Sequence, residues 1–157
     1  MIFVTVGTLH FPFDRLTAAL AGLPPDERLV VQHGSSAPGP AWSESTAFMP
    51  FETVADHVRA ARVAVTHAGV GSIMLALSQG KRPLVVPRRA QFGEAVDDHQ
   101  VALADRLEEL GLVTAVDDPA DLVAAVARVG DAATMPPPPS HPLGRELRAY
   151  VADAIAR

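Results

Sequence analysis

No cysteine occurs in the 157 residues. Disulfides and thiolate-ligated metals are therefore excluded, and the composition fits a reducing compartment. Aromatic residues make up only 5%, with one Trp and one Tyr, so stacking platforms for single-stranded nucleic acid are scarce. An excess of basic charge is missing too: 13 Lys and Arg against 18 Asp and Glu give a net charge of -5, no footprint for a phosphate backbone. No apolar run is long enough to cross a bilayer, and the first residues carry neither a basic stretch nor a cleavage site. The expectation is a cytoplasmic protein that binds no nucleic acid and meets a membrane only through a partner.

What is present is a globular composition, 48% hydrophobic and 20% charged, in a length that suits one domain with its own core. The stretch from Ala64 to Ile73 organises the reading. An apolar, β-prone segment (Val63 to Val65) passes through Thr66-His67-Ala68-Gly69-Val70-Gly71-Ser72 into the helical pattern Ile73-Met74-Leu75-Ala76-Leu77. The first N–H groups of a helix lack intrahelical partners and carry the positive end of its dipole. Glycines let a ligand approach that backbone, so an anion such as a phosphate can accept those bonds. Ser72 either caps the helix or offers its hydroxyl to the same anion. A plain turn with an N-cap explains the same residues.

Strand-like and helix-like segments alternate along the chain. Ile2 to Val6, Leu29 to Gln32, Thr46 to Met49, Val63 to Val65, Leu84 to Pro87 and Leu112 to Val116 read as strands. Asp14 to Leu23, Glu52 to Arg62, the stretch after Gly71, Asp97 to Leu110 and Pro119 to Val129 read as helices. Such alternation predicts an α/β fold: a single Rossmann-like parallel sheet with helices on both faces, over residues 1–130. Residues 131–142, with Pro136-Pro137-Pro138-Pro139, read as an extended linker. Residues 143–157 regain helical spacing, with Leu143, Leu147, Tyr150, Val151 and Ile155 as a stripe to be buried on this domain or on another chain.

Ligands of such sheets bind where loops leave the carboxyl ends of the strands. Those loops carry Gly7 and Thr8, then Gln32-His33-Gly34, then Thr66 to Ser72, then Arg88 to Gln100. A dinucleotide fingerprint is absent, because the first loop has a single glycine and the second strand ends in Gln32 instead of an acid. Asp97-Asp98 and Asp117-Asp118 read as helix caps in preference to metal ligands. His67 reads as either a packed histidine that orients its loop or a ligand contact. Arg88 and Arg89 read as either an anion site or a solvated surface pair.

Four segments together carry a resemblance: Phe3-Val4-Thr5-Val6-Gly7-Thr8, Thr66 to Ile73, Gly80-Lys81-Arg82-Pro83-Leu84-Val85-Val86-Pro87, and Asp98-His99-Gln100. They resemble the C-terminal, donor-binding half of the GT-B glycosyltransferases of glycosyltransferase family 28. Its single-domain branch, which includes the catalytic subunit of the dolichol-linked UDP-N-acetylglucosamine transferase and bacterial exopolysaccharide subunits, is similar in length. The resemblance implies an inverting, UDP-sugar-dependent transferase without metal or other cofactor, in which helix N-termini and glycine-loop amides stabilise the diphosphate. On it, Gly7, Thr8, His67, Ala68, Gly69, Val70, Gly71 and Ser72 line the phosphates. His99 and Gln100, with Asp98, Glu94, Arg88 and Arg89, stand near the donor sugar.

Many relatives carry a Glu that matches Leu75 and contacts the ribose. Leucine cannot do so, which implies either another ribose partner, with Glu94 or Asp98 as candidates, or altered donor binding. The loop from Arg88 to Val96 resembles the exopolysaccharide branch, whose glucuronic acid transferases give Arg88 or Arg89 a carboxylate to bind; N-acetylglucosamine is the other sugar implied. The acceptor side and catalytic base are absent from a half of this length. The resemblance therefore implies a membrane-associated partner subunit and a lipid-linked saccharide acceptor, with the helix of 143–157 as a docking element. A non-catalytic nucleotide-sugar-binding or regulatory module is the alternative.

Overall fold

Both faces of the central strands are apolar, so they can only sit inside a sheet covered on both sides. In a computed structural model, which describes residues 1–129, six parallel strands do so: β1 (Ile2–Thr5), β2 (Leu29–Gln32), β3 (Glu44–Thr46), β4 (Val63–His67), β5 (Leu84–Val86) and β6 (Thr114–Ala115). Their order is β3-β2-β1-β4-β5-β6. The chain thus starts in the middle of the sheet, builds outward to one edge, and returns to build the other half. The order reverses between β1 and β4, and loops that diverge there leave a crevice at the carboxyl edge.

The side-chain alternation sorts the helices. Ile2, Val4, Leu29, Val31, Val63, Val65, Leu84 and Val86 face α1 (Asp14–Ala19) and α5 (Leu122–Arg128), through Leu16, Leu122 and Val126. Phe3, Val30 and Ala64 face α2 (Phe51–Ala60) and α3 (Val70–Ser78), through Val58, Leu75 and Ala76. Val85 continues that layer to α4 (His99–Glu109) through Ile73 and Ala104. Each fully buried Val, Leu, Ile or Phe contributes roughly 1.5–3 kcal/mol of transfer free energy. Two of these layers meet only through the sheet, so the strands fix where every loop emerges.

The expected strand at Thr46 to Met49 lies two residues earlier, at β3. An edge strand needs one paired side only, so its ladder to β2 forms at Val30↔Glu44, Val31↔Ser45 and Gln32↔Thr46 despite polar side chains. Arg28, the residue before β2, donates to both Glu44 carboxylate oxygens, at 2.7 and 2.9 Å. Ala47-Phe48-Met49 instead turns toward α2, which releases Met49 and Phe51 to the carboxyl edge. The expected linker at 131–142 and helix at 143–157 lie outside the described residues.

Candidate functional site

The last residues of three central strands form a polar row above the apolar one. Thr5, Gln32 and Thr66 are register partners, and they share the face of Phe3, Val30 and Ala64. The row is wired together: Thr5 Oγ1 donates to Gln32 Oε1 at 2.6 Å and accepts the Gly7 N–H at 3.1 Å. Immediately beyond it the backbone opens into a cleft of about 410 Å³, walled by Gly7, Thr8 and Leu9 after β1, Gln32 after β2, and His67, Gly69, Gly71 and Ser72 after β4. Met49, Phe51, Val54 and Leu75 close its far side.

His67 sits between the two glycine loops. A Cβ on Gly7 would stand 2.4 Å from its Nε2, and one on Gly69 would stand 2.0 Å from its Cε1, so both glycines make room for the imidazole. Gly7 also holds φ at 79°, a conformation that side-chain-bearing residues avoid. Gly71 differs: nothing lies within 4 Å of a Cβ placed there, and it faces the cleft. Gly69 is the N-cap residue of α3, so the first-turn amides of Val70, Gly71 and Ser72 point out of the helix at the cleft wall. Ser72 does not cap the helix, a correction to one of its two sequence readings. It stands inside the first turn, and its Oγ meets His67 Nε2 at 3.2 Å.

His67 is 6% exposed. Burial pushes its pKa down from 6.5 to about 4, the nearby Arg88 charge pushes the same way, and the Gln100 amide offsets part of this. At neutral pH the imidazole is therefore uncharged, and the first-turn amides of α3 offer the cleft the positive end of the helix dipole. Because the folded state resists protonation, the unfolded chain binds more protons between pH 6.5 and about 4, so stability falls on acidification through that window. The loss amounts to about 3 kcal/mol from this residue. Urea unfolding of the protein and of His67→Gln, at about pH 7 and about pH 4.5, should show the stability gap shrinking by about 2 kcal/mol at acid pH, most of that loss; equal pH dependence in both would refute the assignment.

The six residues expected at the donor sugar stand outside the lining of this cleft. Arg88 is 0% exposed. Its guanidinium donates to the carbonyls of Val6 (2.8 Å), Phe11 (2.8 Å) and Glu94 (2.9 Å) and lies 4.8 Å above the Phe13 ring. This corrects the expectation of an anion ligand or a surface pair: Arg88 is an internal strut between β1 and the two loops. Burial lowers its pKa from the ordinary value, against the opposing pull of Glu94. Glu94 is corrected likewise, since its carboxylate takes two bonds from Arg15 (2.9 and 3.0 Å) and one from the Arg89 N–H (3.0 Å).

Asp98 Oδ1 accepts the Ala90 N–H at 2.8 Å, which ties the carboxylate to its own loop. Gln100 is buried, with Oε1 accepting the Arg88 N–H. His99 is solvent-facing and paired with Asp97, and Arg89 pairs with Asp117 at 3.3 Å. None of these six side chains lines the cleft. The Asp pairs act in part as read: Asp97 accepts the His99 N–H at the start of α4, and Asp118 accepts the Ala120 N–H. Among the described residues no three His, Asp or Glu side chains converge on one point. The sequence reading put Gln32 at the ligand edge of the sheet without giving it a role, and it missed Met49, Phe51 and Val54 as wall residues. Their signal was weak, because apolar residues at a helix start read as core.

Three solved structures share this architecture. The calicheamicin glycosyltransferase CalG4 is similar with a TM-score of 0.61 and 21% identity, over 98% of this chain and 38% of its own. The kitacinnamycin glycotransferase is similar at 0.57 and 24%, over 99% and 39%. SnogD from Streptomyces nogalater, a glycosyltransferase, is similar at 0.57 and 20%, over 99% and 43%. At such identities the likeness is one of fold, and the chain spans about two fifths of the length of those proteins. No curated protein sequence matches. The model of the glycosyltransferase family 28 C-terminal domain matches residues 1–141, which takes in every strand of the sheet and the whole cleft. That match covers the parallel sheet, its switch point and the glycine loops around the α3 N-terminus: the chain belongs to the glycosyltransferase family 28 C-terminal domain family.

Proposed function

We propose that this chain is the donor-binding part of an inverting glycosyltransferase that takes a sugar from a UDP-sugar. The observation that carries the reading is the cleft in which the Gly7-Thr8 loop and the first turn of α3 converge beside an apolar wall. A diphosphate over Gly69 to Ser72 accepts N–H bonds from donors that are fixed before it arrives. As the bond to the sugar breaks, negative charge grows on the leaving phosphate, and the same donors stabilise it without reorganising. Met49, Phe51, Val54 and Leu75 suit the flat, partly apolar base. No metal is required by this scheme.

The rest of the reading concerns the second half of the enzyme. In this reading acceptor binding and the catalytic base belong to a membrane-associated partner subunit, and the acceptor is a lipid-linked saccharide; the chain itself spans about two fifths of the related structures. Glucuronic acid and N-acetylglucosamine are the two sugars proposed; Arg88 no longer favours the first, because its guanidinium is used internally. Calorimetric titration of the full chain with UDP, UDP-N-acetylglucosamine and UDP-glucuronate, with and without EDTA, tests the donor site. The expected result is metal-independent binding of one UDP-sugar above the other, whereas no binding to any of them would sink it. Full-rate transfer to a lipid acceptor by the purified chain alone would sink the partner.

A further inference from the structure

We propose that Gln32 sets the nucleotide's specificity for ribose, by donating from its side-chain Nε2 to a ribose hydroxyl oxygen. The inference rests on the donor-site reading and names the part of the nucleotide that each wall holds.

The argument begins with the cleft's polar groups. Thr5 Oγ1 accepts from the Gly7 amide and gives its own proton to Gln32 Oε1. That bond fixes the amide: with Oε1 turned to Thr5, the two Nε2 hydrogens are left over. No described residue accepts them, although Gln32 is 4% exposed and forms part of the cleft wall. Gln32 Nε2 is not shut away from the cleft, so its two hydrogens remain available to an acceptor bound there.

The order of the strands says which part of a ligand reaches it. β2 lies between β1, whose loop carries Gly7 and Thr8, and β3, whose following loop delivers Met49 and Phe51. A nucleotide with its diphosphate at the glycine loops and its base on the apolar wall places its ribose alongside β2. The other side of that space is Leu75, which offers no hydrogen bond. Of the acids that the sequence put forward for this task, Glu94 is bonded to Arg15 and Arg89, and neither it nor Asp98 lines the cleft. Gln32 is the polar side chain at that position with hydrogens to give.

The test is a cycle in which protein and ligand are both altered. UDP, 2′-deoxy-UDP and 3′-deoxy-UDP are titrated calorimetrically into the full-length wild type, Gln32→Met and Gln32→Glu, and each protein's melting temperature is recorded. The wild type should prefer UDP over one deoxy analogue by about tenfold, the size of one hydrogen bond. Gln32→Met should bind UDP about tenfold more weakly and lose that preference. Gln32→Glu should keep it, since a carboxylate accepts from a ribose hydroxyl; a collapse of all binding in Gln32→Glu would place the amide on a phosphate and overturn the proposal. A Gln32→Met protein that melts like the wild type and still discriminates also overturns it. If the wild type binds none of the three, the donor-site reading fails and this inference with it.

Discussion

Replacing Arg88 with Met is expected to lower the unfolding free energy by about 4 kcal/mol, a large share of the 5–15 kcal/mol typical of a domain. The guanidinium is fully buried and holds three backbone carbonyls, at Val6 and Phe11 on the loop after β1 and at Glu94 on the loop after β5. Methionine fills much of the volume yet leaves those carbonyls without a donor, and each buried acceptor so orphaned costs roughly 1–3 kcal/mol. Arg88→Lys should fall between the two, since an ammonium keeps the charge but loses the planar fork that reaches the carbonyls at once. Urea unfolding measures the effect, and a loss under about 1 kcal/mol for Arg88→Met would show that the strut does not hold the loops. Because Phe11 belongs to the same loop as Gly7 and Thr8, weaker nucleotide binding is expected alongside.

Gly71→Asp is expected to produce the opposite separation, abolishing nucleotide binding while leaving the fold intact. Nothing lies within 4 Å of a Cβ at that position, so the side chain enters open cleft without displacing protein atoms. A carboxylate in the first turn of α3 is also favourable to the helix dipole, and Asp is a better helix residue than Gly. Its charge, however, would face the bound diphosphate, and two like charges about 4 Å apart repel by about 4 kcal/mol at the effective dielectric of a protein surface. The expected loss of UDP affinity is therefore at least about 100-fold, with a melting temperature equal to or above that of the wild type. Gly71→Asn, of similar shape and no charge, should lose much less. Affinity within tenfold of the wild type for Gly71→Asp would remove the diphosphate from α3.

The two predictions differ because the glycines and the arginines of the site do different jobs, which their letters do not distinguish. Gly7, Gly69 and Gly71 look alike as a phosphate-loop pattern. In space all three border the cleft, but a side chain on either of the first two would run into the His67 ring, whereas one on Gly71 would meet nothing. Arg88 and Arg89 are neighbours in the chain, yet one is an internal strut and the other pairs at the surface with Asp117.

By itself the sequence determined the parallel α/β fold, the strand-loop-helix junction at His67 to Ser72 and the edge of the sheet at which the site lies. Those features follow from local periodicity and from glycine's backbone freedom, both of which are written in neighbouring residues. Only the tertiary structure decided which polar groups remain available to a ligand. Arg88 meets the Val6 carbonyl across 82 residues, Glu94 meets Arg15 across 79, and Thr5 meets Gln32 across 27. A polar side chain is free or occupied according to the partner that folding brings to it, and no local pattern records that partner.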